Sequence, residues 1–455
     1  MSAAQHDFMK AAEANLQNTA LHEKMHAWRK SYKERFQQAT AQYSNLELAR
    51  QRASHLRWKT LENLDKYLIE FESNFLKAGG KVFWAQDATD AFVEILNIIR
   101  RNDIHTVVKS KSNTVSEINL NSILENENVN VVETDVADFI LQYEEEASTH
   151  MVMPALHKSK EELNKFYLDR FDLAENISTD EMVQFTCELL REEFKNAGAG
   201  ITGANFLVAD TGAILIAENE GNALLCSSLP RIHFVICGID KMVPCLADVD
   251  LLFPMLSTYG TGQKMSAYNH IITGPRQADE LDGPEELYVI LLDNGRSNVL
   301  QKETQRQAAH CIGCGACQTE SDLYNLIGGN VYGGPIQAIT APLIMDAAEY
   351  KFLSDAQTLG EGVNEVCPVK IDFKNVLLHN RNDFVMQGLS TRNEKWFFYV
   401  WKKEMLKREL MSWTGIKTRR HIMESLIKSR DALRIMPTSA PKSFNEQWRE
   451  KKMVR

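Results

Sequence analysis

The sequence predicts an α/β domain with a parallel sheet, followed by a small α-helical domain that carries a cysteine motif, with helical extensions at both ends. Short apolar runs alternate with helical segments between residues 81 and 300, which is typical of parallel strands joined by helices. Three closely spaced cysteines follow this region, and a fourth stands before a proline much later in the chain. Segments near both chain ends show helical periodicity.

Composition bounds the class of protein. The chain has 455 residues, of which 44% are hydrophobic and 25% charged, values typical of a soluble globular protein with two or three domains. No apolar run is long enough to predict a transmembrane segment. The net charge of -10 argues against nucleic acid as a partner. Eight cysteines without a preceding signal peptide indicate a reducing compartment, so we expect a cytoplasmic protein.

Residues 1–80 predict an N-terminal helical arm. Apolar residues recur there at helical spacing, and Gly79-Gly80 ends the pattern. We expect the arm to pack on the body of the protein or on another subunit.

Residues 81–300 predict the α/β domain. Strands are predicted at residues 82–84, 105–108, 129–133, 151–153, 205–209, 213–217, 232–237, 270–273 and 287–292. Helices are predicted at residues 88–99, 116–124, 136–143, 161–171 and 179–195. Asp210-Thr-Gly212 predicts a hairpin turn, so part of the sheet should be antiparallel.

Several polar residues of this domain could bind a small ligand. Glu218 and Glu220 follow a predicted strand, where α/β sheets place their ligands, although a plain turn would look the same. The glycine-rich segment 198–205 predicts a loop that is either a bland turn or an anion site. Other side chains could orient a carboxylate or form ordinary surface ion pairs: Thr258, Thr261, Gln263, Arg276 and Arg296. The histidines show no metal-binding spacing, and the remaining cysteines are predicted core residues: Cys187, Cys226, Cys237 and Cys245.

The cysteine motif predicts a cofactor site in residues 301–385. Cys311, Cys314 and Cys317 have C-x2-C-x2-C spacing, and Cys367 precedes Pro368. This is the pattern of 4Fe-4S ligands in ferredoxin-type domains. A zinc site remains an alternative, although structural zinc sites usually pair two C-x2-C units.

The same spacing predicts one cluster instead of two. In the bacterial two-cluster run the fourth cysteine binds the other cluster. The first run would need its fourth cysteine at Ser321, and the second run would need its first three at Gln357, Gly360 and Val363. These four positions together are the full ligand set of one cluster, so the remaining cysteines are the full set of the other.

Residues 386–455 predict a basic helical tail, with helices at residues 396–413 and 422–435. From residue 401 onward the chain has 15 Lys and Arg against 6 Asp and Glu. Such a tail could bind an acidic partner subunit or the surface of an anionic membrane, or could be a solvated helix face.

Five segments and the cysteine module together resemble the LutB-like lactate utilisation iron-sulfur proteins. The segments are Lys109-Ser-Lys-Ser112, Gly203-Ala-Asn-Phe206, Glu218-Asn-Glu-Gly-Asn222, Ile272-Thr-Gly-Pro-Arg276 and Leu291-Leu-Asp-Asn-Gly-Arg296. The resemblance implies that the α/β part is a LUD domain, similar in fold to sugar isomerases and CoA-transferases.

The resemblance also implies a function. Proteins of this family are electron-transfer components of a system that oxidises L-lactate to pyruvate, together with a cysteine-rich iron-sulfur subunit and a small LUD-only subunit. Family members typically show two cluster motifs, and this chain keeps one. The alternative is an enzyme or small-acid or CoA-type binding protein that uses Glu218 or Glu220, with a structural cluster.

Overall fold

The structure is a computed structural model that describes residues 2–360, 362–407, 442 and 444–453. The chain divides into two compact units, Met1–Asp383 and Phe384–Arg455. The predicted helix at residues 422–435 and the end of that at 396–413 lie outside the described residues.

Four helices form the N-terminal region, as predicted: α1 Ala3–Leu16, α2 Thr19–Thr40, α3 Leu46–Glu62 and α4 Leu64–Lys77. The side chains of Ser2, Asn18 and Asn45 accept backbone N–H groups at the starts of α1, α2 and α3, which satisfies donors that a helix start leaves free. Helix α4 buries Phe71 and Phe75 against the strands of the α/β region. The predicted arm therefore packs on the body of its own chain.

Six parallel strands form the main sheet, in the order β1-β10-β7-β4-β2-β3. Their bounds are β1 Lys81–Ala85, β2 Thr106–Lys109, β3 Asn130–Glu133, β4 Ala199–Gly203, β7 Ile232–Gly238 and β10 Glu286–Leu292. The helices between them are α5 Ala88–Arg101, α6 Asn113–Glu117, α7 Leu120–Asn126, α8 Val136–Glu144, α9 Lys160–Phe171, α10 Thr179–Asn196 and α11 Asn222–Ser228. Separate hydrophobic clusters cover the two sheet faces, as a parallel sheet requires.

A smaller sheet of four strands has the order β8-β5-β6-β9. Its strands are β5 Phe206–Val208, β6 Ala213–Glu218, β8 Met242–Val243 and β9 Tyr268–Ile272. Strands β5 and β6 pair antiparallel across the predicted hairpin, where Gly212 has φ +70°. Helix α12, Val249–Thr261, follows β8.

Two predictions about this region were wrong. Residues 151–153 form no strand, because the chain turns there. The glycine-rich segment is not a loop but the central strand β4. Gly200 is required there because a Cβ atom would lie 1.8 Å from the carbonyl oxygen of Cys226 in α11.

The cysteine-bearing region is helical, as predicted, and shares its core with the rest of the first unit. Its helices are α13 Arg296–Leu300, α14 Ala316–Glu320, α15 Asp322–Ile327, α16 Gly334–Ile344, α17 Ala347–Ala356, α18 Gly362–Val366 and α19 Phe373–Met386. One hydrophobic cluster joins Cys317 and Val376 of this region to Ala53 of α3, Leu215 of β6 and Leu252 of α12. Because this region shares a core with the α/β region, the structure does not show a separate ferredoxin-type domain, which stays a prediction.

The second unit contains the helix α20, Arg392–Leu406, and a helix at Phe444–Met453. Among the described residues, we find no helix with the length and apolar character needed to cross a bilayer.

Candidate metal centre

The four predicted ligand cysteines lie on two loops. Cys311 follows a 3₁₀ turn at Gln305–His310, and Cys317 lies in the first turn of α14. Between them, Gly313 and Gly315 have φ of +74° and +76°, a conformation that L side chains rarely adopt. Cys367 follows α18 on the second loop.

The structure brings all four cysteines to one cavity. The cavity has about 330 Å³ of space between atoms, including its open side. Apolar side chains form most of the remaining wall: Met151, Ile312, Ile336, Pro368, Val369, Ile371 and Phe373. Cys314, Cys317 and Cys367 are buried, and Cys311 is partly exposed. The late cysteine thus meets the early three despite their distance in sequence.

Backbone N–H groups donate to the sulfurs of Cys311 and Cys367. The N–H of Gly313 donates to Sγ of Cys311 at 3.4 Å, and the N–H of Ile371 donates to Sγ of Cys367 at 3.4 Å. The N–H groups of Ala316 and Ile336 partly offset the rise in the pKa of Cys314 and Cys317. Such donors stabilise thiolates and, in an iron-sulfur site, raise the reduction potential.

Burial makes thiolate formation costly here. It raises the pKa of Cys314 and Cys317 far above that of a free thiol, and the pKa of Cys367 to about 11. A bound cation would favour the thiolate forms, because metal binding displaces the thiol protons. Among the described residues, no three His, Cys, Asp or Glu side chains are arranged to hold a single metal ion, so the four cysteines line the cavity without forming a site for one lone ion.

Three cations hold the cysteine loops. Nη2 of Arg50 donates to the carbonyl of Cys367 at 2.9 Å, and Nζ of Lys241 donates to that of Cys311 at 2.8 Å. The guanidinium of Arg57 is fully buried and donates to His310 O at 3.2 Å, Ala309 O at 3.1 Å, Met242 O at 2.7 Å and Asp240 O. Lys241 also pairs with Asp240 at 2.8 Å and Arg50 with Glu47 at 3.0 Å, so the contacts of these residues show how the loops are held. The sequence analysis predicted a role for none of the three cations. The available signal concerned Arg57 alone, which lies on the apolar face of α3.

The positions of the absent second ligand set are occupied by ordinary packing. Ser321 caps α15 through the N–H of Tyr324, and the side chain of Gln357 accepts from the buried hydroxyl of Tyr332. Val363 is buried in the same hydrophobic cluster as Cys367. A Cβ atom built on Gly360 would have only Thr358 Oγ1 nearby, at 3.7 Å.

The glutamates of the α/β region are engaged in local structure. Glu218 accepts from the N–H groups of Ala223 at 2.7 Å and Leu224 at 3.0 Å, and contacts Nε2 of His270 at 2.6 Å. Glu220 accepts from the N–H of Val136 at 3.1 Å, and burial raises its pKa. Both glutamates lie at a strand end, as predicted. The carboxylate of Glu218 caps the start of α11 by accepting its first free N–H groups.

The other candidate residues do not converge on one point. Arg296 pairs with Asp240 at 2.7 Å and Glu117 at 2.8 Å in a buried network, whereas Arg276 pairs with Glu285 near the surface at 3.3 Å. Thr258 donates to the carbonyl of Gln263, and Thr261 donates to the side chain of the same residue.

The four remaining cysteines have different environments. Cys226 and Cys237 are buried core residues, as predicted, and Cys245 is partly buried. The prediction for Cys187 was wrong, because it lies on the exposed face of α10.

Comparison with known protein families assigns the α/β region to the LUD domain family. Residues 68–292 match the family model described as LUD domain. This range begins in α4 and ends with the last residue of β10.

Three relatives extend the match beyond that domain. Lactate utilization protein B of Bacillus subtilis strain 168 is 38% identical over 364 residues, covering 79% of this chain and 76% of that protein. Lactate utilization protein B of Geobacillus sp. strain WCH70 is 36% identical over 395 residues, covering 86% and 83%. The "Uncharacterized electron transport protein YkgF" of Escherichia coli K12 is 36% identical over 371 residues, covering 78% of each chain. The chain therefore belongs to the lactate utilization protein B family, and the resemblance found in the sequence is confirmed.

Proposed function

We propose that Cys311, Cys314, Cys317 and Cys367 hold one 4Fe-4S cluster and that the chain is an electron-transfer component in the oxidation of L-lactate to pyruvate. The observation that carries the proposal is that all four cysteines line one largely apolar cavity. Soft thiolate donors suit iron-sulfur clusters. The N–H contacts to the sulfurs of Cys311 and Cys367 fit an anionic cluster of this kind.

The positions where a second cluster would need its cysteines support a single cluster. Ser321, Gln357 and Val363 are buried and make other interactions. The remaining cysteines, 187, 226, 237 and 245, belong to the α/β region. The chain thus offers thiolates for one cluster at this place.

The role in electron transfer follows from the donor set. When bound, the cluster would supply a one-electron redox couple. Four protein thiolates fill its iron sites, so the chain's residues position it and limit water, and leave no iron open for substrate. Arg50, Arg57 and Lys241 hold the two loops in place.

Partners are required because lactate oxidation removes two electrons. The names of the relatives support lactate utilisation and electron transport as the context. We propose that the partners are a cysteine-rich iron-sulfur subunit and a small LUD-only subunit, and that the complex is cytoplasmic. The basic tail would then allow contact with an acidic partner or an anionic membrane surface.

The test is the metal content of protein purified without oxygen, combined with electron paramagnetic resonance (EPR). We expect about four irons and four acid-labile sulfides per chain. Zinc in place of iron, or about eight irons, would refute the proposal. Cys314→Ser and Cys367→Ser should each lose the cluster, whereas the control Cys226→Ser, another buried cysteine, should retain it.

The second candidate is an enzyme or acid-binding protein that uses Glu218 or Glu220. The raised pKa of Glu220, and that of Asp135 at about 7, are features of functional carboxyl groups. Alanine at each glutamate, measured for lactate-dependent electron flow with the cluster intact, separates the two functions. Unchanged electron flow in both variants would refute the hypothesis of an enzyme or acid-binding protein, and loss of electron flow would support it.

A further inference from the structure

A buried histidine beside the cysteine loop has one ring nitrogen without a partner in the part of the chain that the structure describes. His150 is almost completely buried, and its Nδ1 accepts two backbone N–H groups, from Val152 at 3.1 Å and Met153 at 3.2 Å. Two donors at Nδ1 require that this atom carry no proton, so the proton of the neutral ring is on Nε2. Nε2 is buried and has no hydrogen-bond partner among the described residues. A buried N–H group in this state costs free energy unless something accepts from it.

The unpartnered nitrogen lies against the loop that carries the cysteines. A Cβ atom built on Gly315, between Cys314 and Cys317, would lie 3.0 Å from Cε1 of His150 and 3.5 Å from Nε2. Gly315 itself lines the cysteine cavity, as does Met151, the residue after His150. The glycine therefore gives the imidazole room to approach the loop.

The position of the ring is fixed by neighbours from three elements. Gln318, the residue after Cys317, accepts the N–H of Met151 at 3.1 Å. The rings of Trp28 and Tyr324 contact the imidazole edge-on, with centroids 6.1 Å and 5.9 Å away. The hydroxyl of Tyr324 donates to the carbonyl of Thr149 at 2.6 Å, which holds the same segment.

We infer that the Nε2–H of His150 donates a hydrogen bond to an inorganic sulfide of the bound cluster at the Cys314–Cys317 loop, and so raises the reduction potential. The inference rests on the proposed cluster. A donor stabilises the reduced form more than the oxidised form, because the reduced form carries more negative charge.

Two substitutions separate this role from simple packing. His150→Asn keeps an acceptor near the position of Nδ1 and removes the donor at Nε2, whereas His150→Gln keeps a donor near Nε2 and loses the acceptor. The control is His233→Gln, because His233 is also buried and has one ring nitrogen that no described residue contacts by a hydrogen bond, but it lies in β7.

The experiment is a redox titration of the cluster by EPR on anaerobically purified full-length protein. We expect His150→Asn to lower the potential by about 59 mV, corresponding to a roughly tenfold change in the ratio of reduced to oxidised cluster at fixed potential. His150→Gln and His233→Gln should stay close to the unsubstituted protein. The exchangeable-proton coupling seen in pulsed spectra of the reduced cluster should weaken only in His150→Asn.

The outcomes are distinguishable. An intact cluster with an unchanged potential in His150→Asn overturns the inference, as do equal shifts in the Asn and Gln variants, which would indicate packing. If His150→Asn loses its cluster, the Gln variant decides: a native potential with retained proton coupling supports the inference, and a lowered potential overturns it. An unsubstituted protein without a reducible four-iron cluster refutes the proposed function itself.

Discussion

Replacing the buried guanidinium of Arg57 tests how the cysteine loops are held. Arg57→Met keeps most of the side-chain volume but leaves four carbonyl oxygens, of Ala309, His310, Asp240 and Met242, without their donor. At the lower end of the cost of an unsatisfied buried group, about 1 kcal/mol each, the loss is about 4 kcal/mol. That agrees with the roughly 3–5 kcal/mol expected on breaking a buried charge network.

The assay is urea unfolding of the anaerobic protein, followed by circular dichroism and by the visible absorbance of the cluster. We expect Arg57→Met to lower the free energy of unfolding by about 4 kcal/mol and to release the cluster at lower urea. Arg52→Met is the matched control, because Arg52 lies exposed on the same helix, and it should change stability by less than about 0.5 kcal/mol. Equal stability of Arg57→Met and the control would refute the reasoning.

Three further predictions concern the α/β region. Gly200→Ala should destabilise the protein by about 3 kcal/mol in urea unfolding, because its Cβ would meet the carbonyl of Cys226. The control Gly360→Ala should have little effect, and a stable Gly200→Ala variant would contradict the close approach. Glu218→Ala should cost about 1–2 kcal/mol by loss of its capping contacts without changing the iron content; a loss of iron would contradict its local role. Burial lowers the pKa of His233 to about 3, so its contribution to stability is fully present above the unfolded pKa of about 6.5 and is lost as pH falls toward 3. Between pH 6.5 and 5 this amounts to about 2 kcal/mol, and His233→Gln should show a correspondingly weaker loss of stability on acidification than the unsubstituted protein.

The sequence predicted most of the α/β region because its strands are short apolar runs between helices. It failed at β4, where alternating glycines look like a turn. The physical reason for Gly200 is the neighbouring carbonyl of α11, and no local pattern reports a contact with another element. Cys187 shows the converse error, because an apolar neighbourhood in sequence does not decide which face of a helix a residue occupies.

The cysteine set could be predicted because its spacing is local and chemically restrictive. His150 and the three cations could not, since each acts through contacts with residues far away in sequence. Nothing near His150 in the sequence shows that its ring lies against Gly315. An unpartnered N–H group is visible only when every neighbouring acceptor is known.

Helix α3 explains how two loops separated in sequence are brought to one cavity. Arg50 holds the loop of Cys367, and Arg57 holds the carbonyls of Ala309 and His310 just before Cys311. Seven residues in a helix correspond to about two turns, or roughly 10.5 Å along the axis. Arg57 also reaches the carbonyls of Asp240 and Met242, so the same helix fixes both cysteine loops to the α/β region. The geometry of the candidate centre therefore depends on the N-terminal helices as much as on the cysteine loops themselves.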